Sequence, residues 1–123
     1  MDASPPDVVL LTRRIDSAEL RRLAQRFEEM VKYVVDVERR LIAIGGEMHS
    51  DAEQVLLEAD SRQADLWGAN YYPGRGREGC IEYTSLINIR PAAGNRGMEL
   101  QDPTLRQTVQ EITFALVGEG EPL

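Results

Sequence analysis

The stretch IGGEMHSDAE (residues 44–53) concentrates reactive side chains: the chain's one histidine, His49, is followed by Asp51 and Glu53 within four positions. An imidazole beside two carboxylates could ligate zinc, manganese or iron. The same letters also have a purely structural reading. Ser50 and Glu53 have capping-box spacing, in which each side chain satisfies a free amide at a helix start. Asp51 would sit in the first turn, where the positive helix end favours a carboxylate. On a helix, Asp51 and Glu53 point about 200° apart, which is poor geometry for one shared ion. Zinc would need further Cys or His ligands, and the chain offers just Cys80. No cofactor and no metal is expected here.

Two further groups of side chains could do chemistry. Asp36 and Glu38 lie at i, i+2 and would share one face of a strand. Joined by His49, they would make a metal-assisted or acid/base hydrolase. The competing reading is a solvated face, or cross-strand pairing with Arg39 or Arg40. A Cys80–His49 pair is available only through the fold, and a lone strand cysteine behaves as a small hydrophobe. The richest set is Trp67, Asn70, Asn88, Arg90, Asn95 and Arg96. Arg and Asn beside Gly-rich loops can hold a carboxylate or phosphate, and Trp67 can supply a stacking floor. Their alternative use is bracing loops through backbone hydrogen bonds. GRGREG (74–79) lacks the spacing of a phosphate loop and the helix that would follow one.

These residues need a frame, and periodicity supplies it. Residues 1–7, with Pro5 and Pro6, read as a flexible tail. VVLLT (8–12) suits a strand. Asp16 opens a helix over 17–30, with Leu20, Leu23, Ala24 and Phe27 on one stripe. The period then changes to two: VKYVVDVE (31–38) and LIAI (41–44) read as paired strands around ERR. Residues 50–59 read as helix, with strand as the alternative for QVLLE. LWGANYY (66–72) and CIEYTSLINI (80–89) read as a hairpin with a long loop, and MEL (98–100) as a short strand. Asp102 as N-cap and Pro103 at the first position open a last helix, which Gly118 ends. Residues 118–123 read as a second tail, leaving 8–117 as one domain.

The element order is therefore β-α-β-β-α-β-β-(β)-α. Hairpin connections predict an α+β fold, a mainly antiparallel sheet of about four to six strands with three helices on one face. Leu20, Leu23, Phe27, Val35, Ile42, Leu56, Ile87, Ile89, Val109 and Ile112 are the expected core.

Bulk properties narrow the function classes. The net charge is −7, from 21 acidic and 14 basic side chains. That field disfavours nucleic acid as a partner, even though Arg13, Arg14, Arg21, Arg22 and Arg26 cluster near one helix. No apolar run approaches the length of a membrane span, so no membrane partner is expected. One cysteine and no basic-apolar leader point to the cytoplasm.

The segments VVDVERRLIAIGGEMHSDAEQVLLE, SRQADLWGANYYP, IEYTSLINIRP and GNRGMELQDPTLR, from about residue 17 to 116, carry a resemblance. The chain resembles a family of small bacterial and archaeal proteins described only as a domain of unknown function. DLWGAN and INIRPAAGNR are its most specific pieces. The resemblance implies one compact domain and brings no catalytic residue, cofactor or substrate. The expected function is binding without catalysis, of a small anionic ligand or a protein partner, with self-association as a homo-oligomer. The hydrolase of Asp36, Glu38 and His49 is the alternative.

Overall fold

The computed structural model describes residues 7–123; most of the N-terminal tail thus lies outside the described residues. Five strands form one sheet: β1 (Val8–Leu11), β2 (Val31–Asp36), β3 (Leu41–Gly45), β4 (Leu66–Tyr71) and β5 (Ile81–Glu82). Their spatial order is β1-β3-β2-β4-β5, and every neighbouring pair is antiparallel. The longer helices are α1 (Ser17–Arg26), α2 (His49–Glu58) and, after the one-turn α3 (Gly76–Gly79), α4 (Pro103–Leu116). The α+β class, the antiparallel sheet and the element order follow the expectation. Among the described residues, no helix is long and apolar enough to cross a membrane.

The helices cover both faces of the sheet, not one. On the first face, Tyr33 and Val35 of β2, Ile42 and Ile44 of β3, and Trp67 and Tyr71 of β4 pack with Leu20 and Leu23 of α1 and Val109 and Ile112 of α4. On the second, Val34, Ala43 and Leu66 pack with Ala52 and Leu56 of α2. The reason lies in β2. Its second face carries Val34 between Lys32 and Asp36, and Val34 pairs with Ala43 and Gly68. That apolar strip needs cover, and burying each large aliphatic side chain contributes about 1.5–3 kcal/mol.

Both helix-start readings around Asp16 and Asp102 hold. Asp16 accepts from Ala18 N at 2.8 Å, and Asp102 accepts from Thr104 N at 2.8 Å with Pro103 in the first turn. The first helix is shorter than its apolar stripe, ending at Arg26. Glu28 and Glu29 then take left-handed backbone angles, φ 58° and 74°, to reverse the chain into β2. Residues 49–58 are helical, which removes the strand alternative.

The second half of the predicted hairpin is the largest departure. CIEYTSLINI yields a two-residue strand, β5, then a single bridge from Thr84 to Glu99 and a tight turn at Leu86–Asn88. MEL contributes only that bridge. Ser85 explains the break: its hydroxyl accepts from Ile87 N at 3.2 Å and starts the turn, so the alternation stops being a strand. Ile89 is consequently 43% exposed and leaves the core, while Ile87 and Phe27 are half-buried against it. After α4 the chain runs back over the sheet end. Gly120 N donates to the Tyr71 hydroxyl at 2.9 Å, and Gly76 N donates to Gly120 O at 3.0 Å.

Candidate functional site

Because β5 stops at Glu82, β4 would be left with open backbone groups from Gly68 back to Leu66. Side chains close that edge. Asn88 stands in for a missing peptide: Gly68 N donates to its Oδ1 at 2.8 Å, and its Nδ2 donates to Gly68 O at 3.0 Å. Two residues on, Arg90 Nη2 donates to Leu66 O and Nε donates to Ile87 O at 3.2 Å. The guanidinium lies over the Trp67 ring, 4.4 Å from its centre, where cation and ring quadrupole attract. Burial pulls the Arg90 pKa down, and the charge of Glu53 opposes this. Asn95 then binds the following loop together: its Nδ2 donates to Asn88 O at 2.8 Å and Glu99 O at 3.1 Å, and its Oδ1 accepts from Gln101 N at 2.9 Å.

Five of the six sequence candidates therefore gather around β4 and its neighbouring loops, while Arg96 is exposed. They do not line one hollow. Trp67 and Asn95 border a space of about 340 Å³ with Leu100 and Leu105. Arg90 borders another, of about 430 Å³, beside Glu53 and Gln63. Asn70 belongs to a third.

The Asp36, Glu38 and His49 set is not assembled. Asp36 is fully buried and organises the β2–β3 connection. Its Oδ1 accepts from Glu38 N and Arg39 N at 3.0 and 2.9 Å, and its Oδ2 accepts from Ser61 Oγ at 2.6 Å. Glu38 is exposed, and His49 reaches β4 instead. Among the described residues, no three His, Cys, Asp or Glu side chains converge as a metal would require. Cys80 is buried, and burial pushes its thiol pKa up, which suits a packed hydrophobe.

The start of α2 differs from its sequence reading in a way that matters. The cap is at Met48: Met48 N donates to Asp51 Oδ2 at 3.1 Å, and Asp51 N donates to Met48 O at 3.0 Å. One half of the box expected of Ser50 and Glu53 is thus made two residues earlier, by the Asp51 carboxylate, while the Asp51 amide meets a backbone carbonyl and no capping side chain; Ser50 is exposed. Asp51 can reach back this way because it stands three residues after the cap, as the motif requires. His49 becomes the first helical residue and turns onto the sheet. Its Nε2 lies 2.9 Å from Ala69 O; a carbonyl only accepts, so Nε2 carries the hydrogen. Burial holds the His49 pKa below its ordinary value, and Lys32 adds to this. Its bond to Ala69, Asn70 and the charge of Glu82 pull the other way.

Gly68 makes this approach possible. A Cβ there would lie 2.6 Å from Ser85 Cβ and 3.2 Å from His49 Cδ2. With no side chain at 68, His49 and Ser85 close over β4 and leave a hollow of about 360 Å³ between them and the 84–87 segment. Its apolar lining comes from Met48, Leu86, Ile87 and Met98, and its polar lining from Lys32, Glu47, His49, Ser50, Asn70, Thr84 and Ser85. Asn70 is 5% exposed, and its Nδ2 donates to Glu82 Oε1 at 2.7 Å and Thr84 O at 3.3 Å. Its Oδ1 has no donor partner. Lys32, the chain's single lysine, is Asn70's partner across β2 and β4.

Sequence reasoning found Asn70 and His49 but put them in different sites, and it missed Lys32, Met48, Leu86 and Met98. A readable signal existed for Lys32, which interrupts an otherwise apolar stretch of β2 on the face of Val34. None existed for Leu86 and Met98, whose exposure depends on the turn at Ser85.

No curated protein and no solved structure matches the chain. A family model, described as a protein of unknown function (DUF5674), matches residues 9–116. Of the motif residues of the resemblance, Asn88 and Arg90 close the β4 edge at Gly68 and Leu66 while Asn95 holds the following loop, and the chain belongs to the DUF5674 family.

Proposed function

We propose that this domain works by binding, and that its site is the hollow between β4, the first turn of α2 and residues 84–87. The observation that carries this reading is the combination of an apolar lining with a few polar side chains at the same hollow, His49, Lys32 and Asn70 among them. Ligand sites share that make-up: a concave apolar surface with a few convergent polar groups, one of them with a shifted pKa. The volume, about 360 Å³, is at the small end of the ligand-site range. The ligand on this reading is a small molecule with an aliphatic body, held in the cytoplasm of a bacterial or archaeal cell. Free, buried Cys80 suits that reducing compartment.

Methyl NMR tests it. The chain has four methionines, and Met48 and Met98 border the hollow while Met30 does not. Titration with short aliphatic alcohols and acids should shift the Met48 and Met98 methyl signals saturably and leave Met30 still. Linear, non-saturating shifts at all four would remove the reading.

A partner protein, or a second copy of the chain, is the other reading. Met48, Leu86 and Met98 are 58%, 67% and 43% exposed around the mouth of the hollow, and grouped exposed hydrophobes often mark protein contacts. A mass that rises with concentration in light scattering, and falls back in Leu86→Glu, would favour it.

A further inference from the structure

We infer that the chain forms a two-fold dimer by pairing β1 with β1 of a second copy, edge to edge. This goes beyond the binding reading and uses a different surface. The two ends of the sheet are not alike. At the far end, Asn88 and Arg90 close β4, and residues 98–100 run alongside the continuation of β5. There Leu100 N donates to Tyr83 O at 2.9 Å and Ser85 N donates to Met98 O at 3.0 Å. At the near end, Val8–Leu11 pair with β3 alone, and among the described residues no other group bonds to their peptides.

An open edge normally carries a device that repels an added strand, such as a charge, a proline or a bulge. VVLL carries no charge and no proline, and its register with β3 is continuous over all four residues, so no bulge bends it away. Leu10 is 39% exposed on this edge. A groove of about 560 Å³, bordered by Val9, Leu10, Leu11, Arg13 and Glu19, gives access to it.

A second copy suits this edge. An antiparallel pair matches residues whose peptide groups both point at the partner or both away. About a two-fold axis, this puts one residue of β1 opposite its own equivalent. With Leu10 in that place, the two exposed leucines pack on each other and Val9 meets the partner's Leu11. The same register carries the start of one β1 to the end of the other. Asp7 then approaches the partner's Arg13, which is exposed and makes no ion pair among the described residues. Asp7 already holds Arg22 and Arg26 at 2.7 and 3.3 Å, so this third cation adds little and the leucine pair is the main contact. Because the far end of the sheet is closed, assembly stops at two.

Sedimentation equilibrium of the full chain tests this. The parent should move from the mass of one chain towards that of two as concentration rises. Leu10→Lys should weaken association by roughly 100-fold, since two ammonium groups then face each other across the axis. Its circular dichroism should match the parent's, because the position is exposed. Leu86→Glu, at the mouth of the other hollow, should dimerise like the parent. Leu10→Cys should give a covalent dimer on mild oxidation, since directly opposed Cβ atoms lie about 4.5–5.5 Å apart. The parent, whose one cysteine is the buried Cys80, should not. A parent that stays monomeric at every concentration would overturn the inference. So would a dimer that Leu86→Glu breaks and Leu10→Lys spares, or one in which Leu10→Cys fails to cross-link. None of these results bears on the hollow beside β4, which the methyl titration reads separately.

Discussion

Asn88 satisfies both backbone groups of Gly68 with one side chain, accepting at 2.8 Å and donating at 3.0 Å, and its Nδ2 also reaches Met98 O at 3.2 Å. A carboxamide is the one side chain that presents donor and acceptor in the same spacing as a peptide group. The residue is fully buried, so its bonds are made without competition from water.

Asn88→Ala should lower stability by about 2–4 kcal/mol in urea unfolding, since it leaves buried backbone groups unmet. Asn88→Asp should do no better at neutral pH. It keeps the acceptor for Gly68 N but turns the donor into an oxygen facing Gly68 O and Met98 O. Full stability in Asn88→Asp would show that the donor half of the pair contributes nothing.

Gly68→Ala should cost about 1–3 kcal/mol by overpacking, because its Cβ meets Ser85 Cβ at 2.6 Å and Oγ at 2.7 Å. Those atoms belong to Ser85, so the cost should shrink in a Ser85→Gly background. A double-mutant cycle measures that coupling. An additive result would move the cause away from Ser85.

Asp36→Ala should destabilise by about 3 kcal/mol, as two amides and a hydroxyl lose one buried acceptor. Glu38→Ala, at an exposed position, should stay within about 0.5 kcal/mol of the parent. Comparable losses at both positions would contradict the structural role given to Asp36 alone.

His49 should make stability depend on pH in one direction. Burial favours the neutral ring, so its folded pKa lies below the ordinary 6.5. As pH falls through 6.5, the unfolded chain takes the proton first, and stability drops until the folded ring also titrates. Urea unfolding from pH 8 down to 5 should show this decline in the parent and a flatter profile in His49→Gln. Asp7, Glu19 and Glu121, whose pKa values are lowered mainly by hydrogen bonds from Arg22 (Asp7, Glu19) and from backbone amides (Glu121), are common to both proteins and cancel in the difference. A steeper profile in His49→Gln would reverse the sign and exclude a destabilised imidazolium.

Local chemistry made much of this fold legible. Asp102 and Pro103 carry a helix start in their own side chains, and the alternation of Val31, Tyr33 and Val35 carries a strand. What failed had its cause elsewhere in the chain. Ile87 and Ile89 alternate like strand residues, yet the Ser85 hydroxyl turns the backbone before they can pair. Ser50 and Glu53 match a capping box, yet the helix starts two residues earlier, where the Asp51 carboxylate accepts from the Met48 amide. Asn88, Arg90 and Asn95 have the composition of an anion site. Only the early end of β5 reveals that the neighbouring strand needs the hydrogen bonds of Asn88 and Arg90, and that the loop beyond needs those of Asn95. Lys32 and Asn70 were readable one by one, but their meeting depends on the β2–β4 register.

The closed flank of β4 bears on how the molecule behaves at high concentration. A foreign strand that approached there would find Gly68 and Leu66 already occupied by Asn88 and Arg90, with Trp67 covered by the guanidinium. Sheet-to-sheet polymerisation needs a row of vacant donors and acceptors. Loss of Asn88 would therefore do more than loosen one molecule: it would open a seam along which molecules could stack into aggregates.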